Sequence, residues 1–343
     1  MEQPLLRLGM LGFSNDVGLR LQALASEERQ GWPRWRCYDP HVADAWMING
    51  IAVEVKGRDE LVITHPFGTQ ERLTLHRAEV DRPLAFAAPL PEGFASAEFF
   101  EAGDEQSVRQ RLQRFEAWLR PLRSQFALGA AVASRQTGLR DVVHLVLEGK
   151  LLAVLDFVRW QAGILVPARP VELSMAEWVP RSASASDIPP TFIRLPLHRV
   201  MWTYAVRTAR DVLPERYRSS RIYLRRVPHL PARWYGPEHL ELMHMLTESP
   251  ATFDELLERT GLAATQLAHS LAALYHAGGL TTDPDSARRF EGQTRLSLTK
   301  LKLDGKETDS DMKNRFRSSD LVAPTSMLRD AMHSPLRTSV RKD

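Results

Sequence analysis

Arginine and aromatic residues are interleaved over residues 194–235, which we call the basic segment. This stretch holds ten arginines against Asp211 and Glu215, a net charge of +8. Guanidinium forks bind phosphate groups and guanine edges, and aromatic faces stack on nucleobases. The pattern is therefore compatible with a nucleotide or cyclic-dinucleotide ligand. The candidate contacts for such an anion, or for a partner, are Arg207, Arg210, Arg218, Arg221, Arg225, Arg226, Trp202 and Tyr223.

The next segment, residues 236–285, carries the opposite charge. It has eight acidic residues against Arg259 alone, a net charge of −7, whereas residues 286–343 return to +5 with thirteen basic and eight acidic residues. Blocks of alternating sign mark surfaces that meet different partners or that meet each other. We prefer the simpler interpretation, in which the arginine-rich face packs against the acidic segment beside it.

No combination of residues typical of an active site occurs in the sequence. It lacks the Gly-Lys-Ser/Thr sequence of phosphate-binding loops, the G-x-G-x-x-G pattern and the H-E-x-x-H pattern. His239 and His244 would lie about 140° apart around a helix, too far for one metal ion. The single cysteine, Cys37, excludes an internal disulfide and cysteine-rich metal sites. We therefore predict a protein without enzymatic activity, cofactor or metal, located in the reducing cytoplasm.

The first 128 residues are typical of an α/β domain with an antiparallel insertion. An apolar run at residues 6–13 ends in Ser14-Asn15-Asp16, an N-cap cluster that begins a helix. Further strands, of which the third and fourth form a hairpin, are predicted at residues 35–38, 43–48, 60–64, 72–76 and 83–88.

The clearest helix is predicted at residues 105–126. From Val108 to Phe126, apolar residues recur at spacings of three and four, which makes one continuous stripe. Pro121 should kink this helix or end it early. We expect the stripe to pack on its own domain. The alternative is a homodimer through the 108–126 helix, since its arginine flanks suit a partner helix.

Residues 139–235 combine a β-meander with the basic segment. Apolar strands at residues 142–147 and 151–157 flank the tight turn Glu148-Gly149-Lys150, and a third strand follows at residues 164–166. The small polar stretch 181–187 indicates a linker or loop.

Residues 236–285 are predicted to form three helices and a strand pair. Pro237 begins the first helix, Thr252 and Gly261 bound the second, and the third covers residues 263–277 before a strand at 280–282. The stretch PATFDELLERTGLAATQLAHSLAALYHAGGL resembles the winged helix of many bacterial regulators, in which a short helix, a glycine turn and a longer helix lead into the wing.

The first fifty to hundred residues resemble the receiver domain of bacterial response regulators in the order strand, polar turn, helix, strand, strand. A working receiver needs paired carboxylates after its first strand, a phosphorylated aspartate after its third and a late lysine. Here the corresponding positions hold Ser14-Asn15-Asp16, Asn49-Gly50 and Ala88-Pro89. The resemblance therefore implies a receiver-like domain that cannot be phosphorylated.

The predicted third helix of the winged-helix segment carries no lysine or arginine, which disfavours contact with a phosphate backbone. We therefore predict a protein partner, with nucleic acid as a less favoured one. The candidate contact residues on this helix are Thr265, Gln266, His269 and Ser270.

Together these patterns predict an α/β receiver-like domain with a β insertion (1–128), a β-rich middle with the basic segment (139–235), an all-α or winged-helix domain (236–285) and a mostly disordered basic tail (286–343). The sequence has no apolar run long enough for a membrane span. The hypothesis is a non-enzymatic cytoplasmic signalling adaptor that acts through protein contacts. The alternatives are a DNA-binding transcriptional regulator and a nucleotide or cyclic-dinucleotide receptor.

Overall fold

The structure, a computed structural model, has mixed α/β content with one parallel sheet, several antiparallel sheets and helices. The residues that it describes are 2–28, 32–56, 60–64, 72–76, 80–135, 141–231 and 234–288. The predicted disordered tail lies outside the described residues from residue 289 onward. Within the described residues, no helix is both long and apolar enough to cross a membrane.

The elements of the N-terminal part come first in the chain. They are β1 (Leu5–Leu11), α1 (Asn15–Ser26), β2 (Arg34–Cys37), β3 (Ala45–Asn49), β4 (Val53–Lys56), β5 (Glu60–Thr64), β6 (Arg72–His76), β7 (Leu84–Ala87), β8 (Phe99–Phe100), α2 (Glu105–Trp118) and α3 (Arg120–Ser134). The strands predicted from local patterns are present, and β5 and β6 pair antiparallel as the predicted hairpin. Strands β4 and β8 were not predicted.

Five strands form a parallel sheet in the order β2-β1-β3-β7-β8. This order is one of the two common in doubly wound α/β folds. Because side chains alternate along each strand, Leu6 and Leu8 face α1 and α2, while Trp46 and Ile48 face the antiparallel sheet β4-β5-β6. The parallel sheet is thus covered by helices on one side and by the β insertion on the other.

The helix predicted at 105–126 is broken in two. Helix α2 ends at Trp118, and α3 begins at Arg120 with Pro121 in its first turn, where a missing N–H costs nothing. The first part of the apolar stripe, Val108 to Leu122, is buried in the N-terminal core, and Phe126 packs against Tyr204. The stripe is therefore not left exposed for a partner helix, and the predicted domain boundary at residue 128 falls within α3.

The middle of the chain is a five-stranded antiparallel sheet with helices on one face. Its elements are β9 (Val142–Leu147), β10 (Lys150–Asp156), β11 (Gln161–Leu165), α4 (Pro170–Met175), β12 (Glu177–Arg181), β13 (Phe192–Pro196) and α5 (Leu197–Ala205). The strand order is β12-β9-β10-β11-β13, so the predicted three-strand meander gains a strand on each edge. Helices α3, α4 and α5 bury the core beneath this sheet.

The C-terminal part is mainly helical. Its elements are α6 (Arg216–Ser219), β14 (Tyr223–Leu224), α7 (Pro237–Glu248), α8 (Phe253–Thr260), α9 (Ala264–His276), β15 (Leu280–Thr281) and α10 (Pro284–Arg288). The predicted caps are confirmed for α8, because the Thr252 hydroxyl accepts from the Glu255 N–H and Gly261 adopts a left-handed φ of +63°.

The strand pair differs from the expectation. Strand β15 pairs antiparallel with β14, which precedes the three helices, and the turn at Asp283 leads into α10. Residues 280–288 therefore do not form a wing hairpin by themselves. Through the β14-β15 pair, the basic segment is instead hydrogen-bonded to the strand that follows α9.

Candidate anion-binding site

The basic segment does not form one surface. Its arginines are distributed over several environments, because each is positioned by a different element and most have a local acceptor. Arg207 is buried against Asp44, Arg210 pairs with Glu2, Arg218 with Asp211 and Arg221 with Glu255, while Trp202 is buried and Tyr223 is half-buried on β14. Among the eight predicted contacts, only Arg225 and Arg226 line the cavity described next.

A surface cavity of about 610 Å³ lies between the β10–β11 turn, β13 and the residues that follow β14. Six of its lining residues are basic in type, and we call this cavity the basic crevice: Arg159, Arg194, His198, Arg225, Arg226 and His229. No aspartate or glutamate is among its described lining residues. Its volume falls within the range of small-molecule sites.

Arg225 and Arg226 are held in place by the small β14-β15 sheet. Arg225 and Arg226 directly follow β14, and the backbone N of Arg225 donates to the carbonyl oxygen of Gly279 at 2.7 Å. Gly278 ends α9 with a φ of +77°, and a Cβ there would lie 3.2 Å from Nη2 of Arg226. Glycine at this position thus adopts the positive φ without strain and leaves room for the Arg226 guanidinium.

Arg159 and Trp160 enter the basic crevice from the β10–β11 turn. The buried Asp156 carboxylate holds this turn, since its Oδ1 accepts from the backbone N of Val158 at 3.0 Å and of Arg159 at 2.8 Å. Oδ2 of Asp156 pairs with Nη1 of Arg159 at 3.1 Å. The turn is anchored to α5 because the Leu197 N–H donates to the Trp160 carbonyl at 2.8 Å.

The opposite wall carries Arg194 on β13 and His198 on α5. Nη2 of Arg194 donates to the carbonyl oxygen of Ile188 at 2.6 Å, which leaves its other guanidinium donors for a ligand. Nε2 of His198 lies 2.6 Å from the His229 carbonyl oxygen. A carbonyl only accepts, so Nε2 carries the proton, and burial lowers the pKa of His198, which favours the neutral ring at neutral pH.

The electrostatics of the basic crevice favour an anion. Burial, followed by the charge of neighbouring Arg225, lowers the pKa of Arg226. Arg225 and Arg226 are half-buried, whereas Arg159 and Arg194 are exposed. Two like charges that are partly removed from water are costly unless an opposite charge joins them. A phosphate group supplies that charge together with acceptors for several guanidinium forks.

Helix α9 does not present the four predicted contacts together. Thr265 and Gln266 are exposed, His269 is half-buried, and Ser270 is buried in the core. Eight of the thirteen residues of α9 are buried, and the helix packs against α5. A helix that reads a DNA groove needs an open face, so this burial restricts any contact to the first turn of α9.

The Asn49 side chain, at the position compared above with a receiver's phosphorylated aspartate, hydrogen-bonds within the chain. Asn49 lies at the carboxyl end of β3, where its Nδ2 donates to the Gly12 carbonyl at 2.8 Å and its Oδ1 accepts from the Ile51 N–H at 3.3 Å. Among the described residues, no group of three or more histidine, cysteine or acidic side chains could hold a metal ion.

Comparison with known proteins assigns no identity: no family model, no curated protein and no solved structure matches this chain. The site must therefore be interpreted from its own chemistry. Sequence reasoning missed Arg159, Trp160, Arg194 and the two histidines. The Arg159-Trp160 pair was one available signal for the site, since the turn between two apolar strands does not need a tryptophan for its packing.

Proposed function

We propose that this protein is a non-enzymatic signalling regulator that binds a phosphate-bearing small molecule in the basic crevice. One observation carries the proposal: four arginines and two histidines line a cavity of about 610 Å³ without a carboxylate among its described lining residues. A ligand at this place would touch both the middle sheet and the segment that follows β14.

The N-terminal part supports the regulator class. The strand order of the parallel sheet is that of flavodoxin-like folds, to which receiver domains belong. In a receiver-like interpretation, Asn49 at the end of β3 would stand where a receiver has its phosphorylated aspartate, and its Nδ2 donates to the Gly12 carbonyl. We therefore propose a receiver-like domain that works by contact, and a cytoplasmic location in keeping with the free Cys37.

The small-molecule receptor replaces the adaptor as our first hypothesis because the site offers a specific cavity for it. The adaptor and the DNA-binding regulator stay predictions. DNA binding is disfavoured by the acidic charge of residues 236–285 and by the burial of α9.

The test is calorimetric titration of the full chain with inorganic tripolyphosphate at low ionic strength. Arg194→Gln and Arg226→Gln should each weaken binding about 10- to 100-fold, the equivalent of one charge-assisted hydrogen bond. The matched control is Arg221→Gln, since Arg221 belongs to the same basic segment but pairs with Glu255 outside the basic crevice.

Binding that is unchanged in both crevice variants, or absent from the wild type, would refute the proposal. Equal losses in all three variants would indicate general attraction of an anion to a basic surface. Titration with duplex DNA tests the alternative: a steep fall of affinity with salt and insensitivity to the crevice variants would favour the DNA-binding regulator.

A further inference from the structure

A second cavity, of about 370 Å³, adjoins the basic crevice. The two cavities share Trp160 and Arg225, which therefore form a common wall. The second cavity is lined mainly by aromatic and aliphatic side chains, and we call it the aromatic pocket: Phe157, Trp160, Met201, Tyr217 and Tyr275 with Arg216 at its edge.

The aromatic pocket contains a cluster of two tyrosines and one arginine, in which the tyrosine rings are tilted at 53° to each other. Tyr217 is buried, whereas Tyr275 is half-buried and Arg216 is exposed, so the last two are the accessible members of the cluster. The Tyr217 and Tyr275 rings lie 4.9 Å apart between centroids, and the Arg216 guanidinium carbon lies 5.3 Å and 5.4 Å from them. Nη2 of Arg216 also donates to Oη of Tyr275 at 3.3 Å. Tyrosine faces and guanidinium planes are the surfaces on which proteins stack nucleobases.

Trp160, at the junction, is held in a conformation that packing alone does not require. Its φ of +54° is uncommon for a bulky residue, and glycine or asparagine usually fills such turn positions. Its side chain remains 45% exposed, so little hydrophobic burial offsets this backbone cost. An exposed indole fixed between an aromatic and a cationic cavity is well placed to contact a planar ligand.

We propose that the ligand is a nucleotide with two or more phosphates, its base in the aromatic pocket and its phosphate chain in the basic crevice. This inference rests on the proposed function and adds the chemical class of the ligand. One aromatic cavity beside one cationic cavity corresponds to one base joined to one phosphate chain. A cyclic dinucleotide would place a base on each side of its phosphates, whereas Trp160 is the sole phenylalanine, tyrosine or tryptophan among the described lining residues of the basic crevice.

The test compares a nucleoside triphosphate series (ATP, GTP, CTP and UTP) with inorganic tripolyphosphate on the full chain. At least one nucleotide should bind more tightly than tripolyphosphate. Trp160→Ala should weaken that nucleotide about 5- to 100-fold, the range for loss of one base-stacking contact, and should weaken tripolyphosphate by a clearly smaller factor, because Trp160 lines both cavities. Arg226→Gln should weaken both ligands. The matched control is Trp32→Ala, since Trp32 is similarly exposed, at 42%, but lies outside both cavities.

Fluorescence supplies a second measurement that does not depend on the alanine variant folding well. Nucleotide binding should quench tryptophan emission, and Trp160→Phe, which keeps an aromatic ring, should bind with the quench lost. If tripolyphosphate binds as tightly as every nucleotide, this inference fails while the proposed function stands. If neither binds, the proposed function fails. Cyclic dinucleotide binding that is tighter than that of any triphosphate and depends on Trp160 would overturn the single-base assignment.

Discussion

Removing the charge of Asp44 should destabilise the whole described fold. Nη1 and Nη2 of Arg207 each lie 2.6 Å from a different Asp44 carboxylate oxygen, and Nη1 also donates to the Leu5 carbonyl at 3.0 Å. The Asp44 carboxylate accepts from the Arg7 N–H at 2.8 Å. Asp44 and Arg207 are 3% and 8% exposed. This pair joins the parallel sheet to the end of α5, and Asp44→Asn keeps its shape while removing the negative charge.

The size of the effect follows from this geometry. Breaking a buried ion pair by removing one partner costs about 3–5 kcal/mol, because the other charge stays buried without compensation. Asparagine keeps one acceptor oxygen, so the lower end, about 3 kcal/mol, applies here. The nearby Arg7 guanidinium, whose pKa is lowered by burial and then by Arg207, adds repulsion once Asp44 is neutral. For a chain of 343 residues the entropy of unfolding is about 0.7 kcal/mol/K, so the melting temperature should fall by about 4 °C.

The assay is urea unfolding followed by circular dichroism, with thermal melts alongside. The control is Arg210→Gln, which removes an exposed guanidinium from its pair with Glu2 and should cost less than about 1 kcal/mol. A double variant, Asp44→Leu with Arg207→Met, should recover part of the loss because no charge is then buried alone. If Asp44→Asn costs no more than Arg210→Gln, this pair does not join the two parts as we argue.

Two further predictions concern the stability of the fold. A Cβ at Gly129 in α3 would lie 2.6 Å from the Tyr204 Cβ and 3.0 Å from the Val200 carbonyl oxygen, so Gly129→Ala should cost about 1–3 kcal/mol in urea unfolding. Gly18→Ala, also helical but with open space around it, should instead stabilise by about 0.5–1 kcal/mol, and equal gains in both would contradict the close packing. Burial lowers the pKa of His239 to about 3, so the unfolded state takes up a proton below its pKa of about 6.5 while the folded state does not. The contribution of His239 to stability is thus present above pH 6.5 and is lost as the pH falls toward 3, by about 1.4 kcal/mol per pH unit. In urea unfolding at a series of pH values, His239→Gln should flatten the fall of the unfolding free energy between pH 6.5 and 5. An unchanged slope would contradict the lowered pKa of His239.

Local signals in the sequence were sufficient for many elements. The break before Pro121, the Thr252 cap and the left-handed Gly261 depend on residues close together in the chain, so their patterns predicted them correctly. The β5-β6 hairpin is similar, since its strands are near neighbours in sequence. Propensity and periodicity act over these short distances.

The proposed binding site could not be predicted in the same way. The sequence grouped eight residues of the basic segment, yet four of the six arginines among them pair with acids, as Arg207 does with Asp44, 163 positions away. The basic crevice instead combines Arg225 and Arg226 with Arg159 and Arg194 from the middle sheet. Which arginine is neutralised depends on the acid that the fold brings to it, and charge counts along a chain contain no such information.

The sequence by itself determined the separation of charge into blocks and many of the helices and strands, because each depends on residue type and near spacing. Only the tertiary structure decided that β15 returns to β14, that α9 is buried against α5 and that two cavities share Trp160 and Arg225. These features join residues far apart in the chain, and their geometry is set by strand pairing and core packing rather than by local preference.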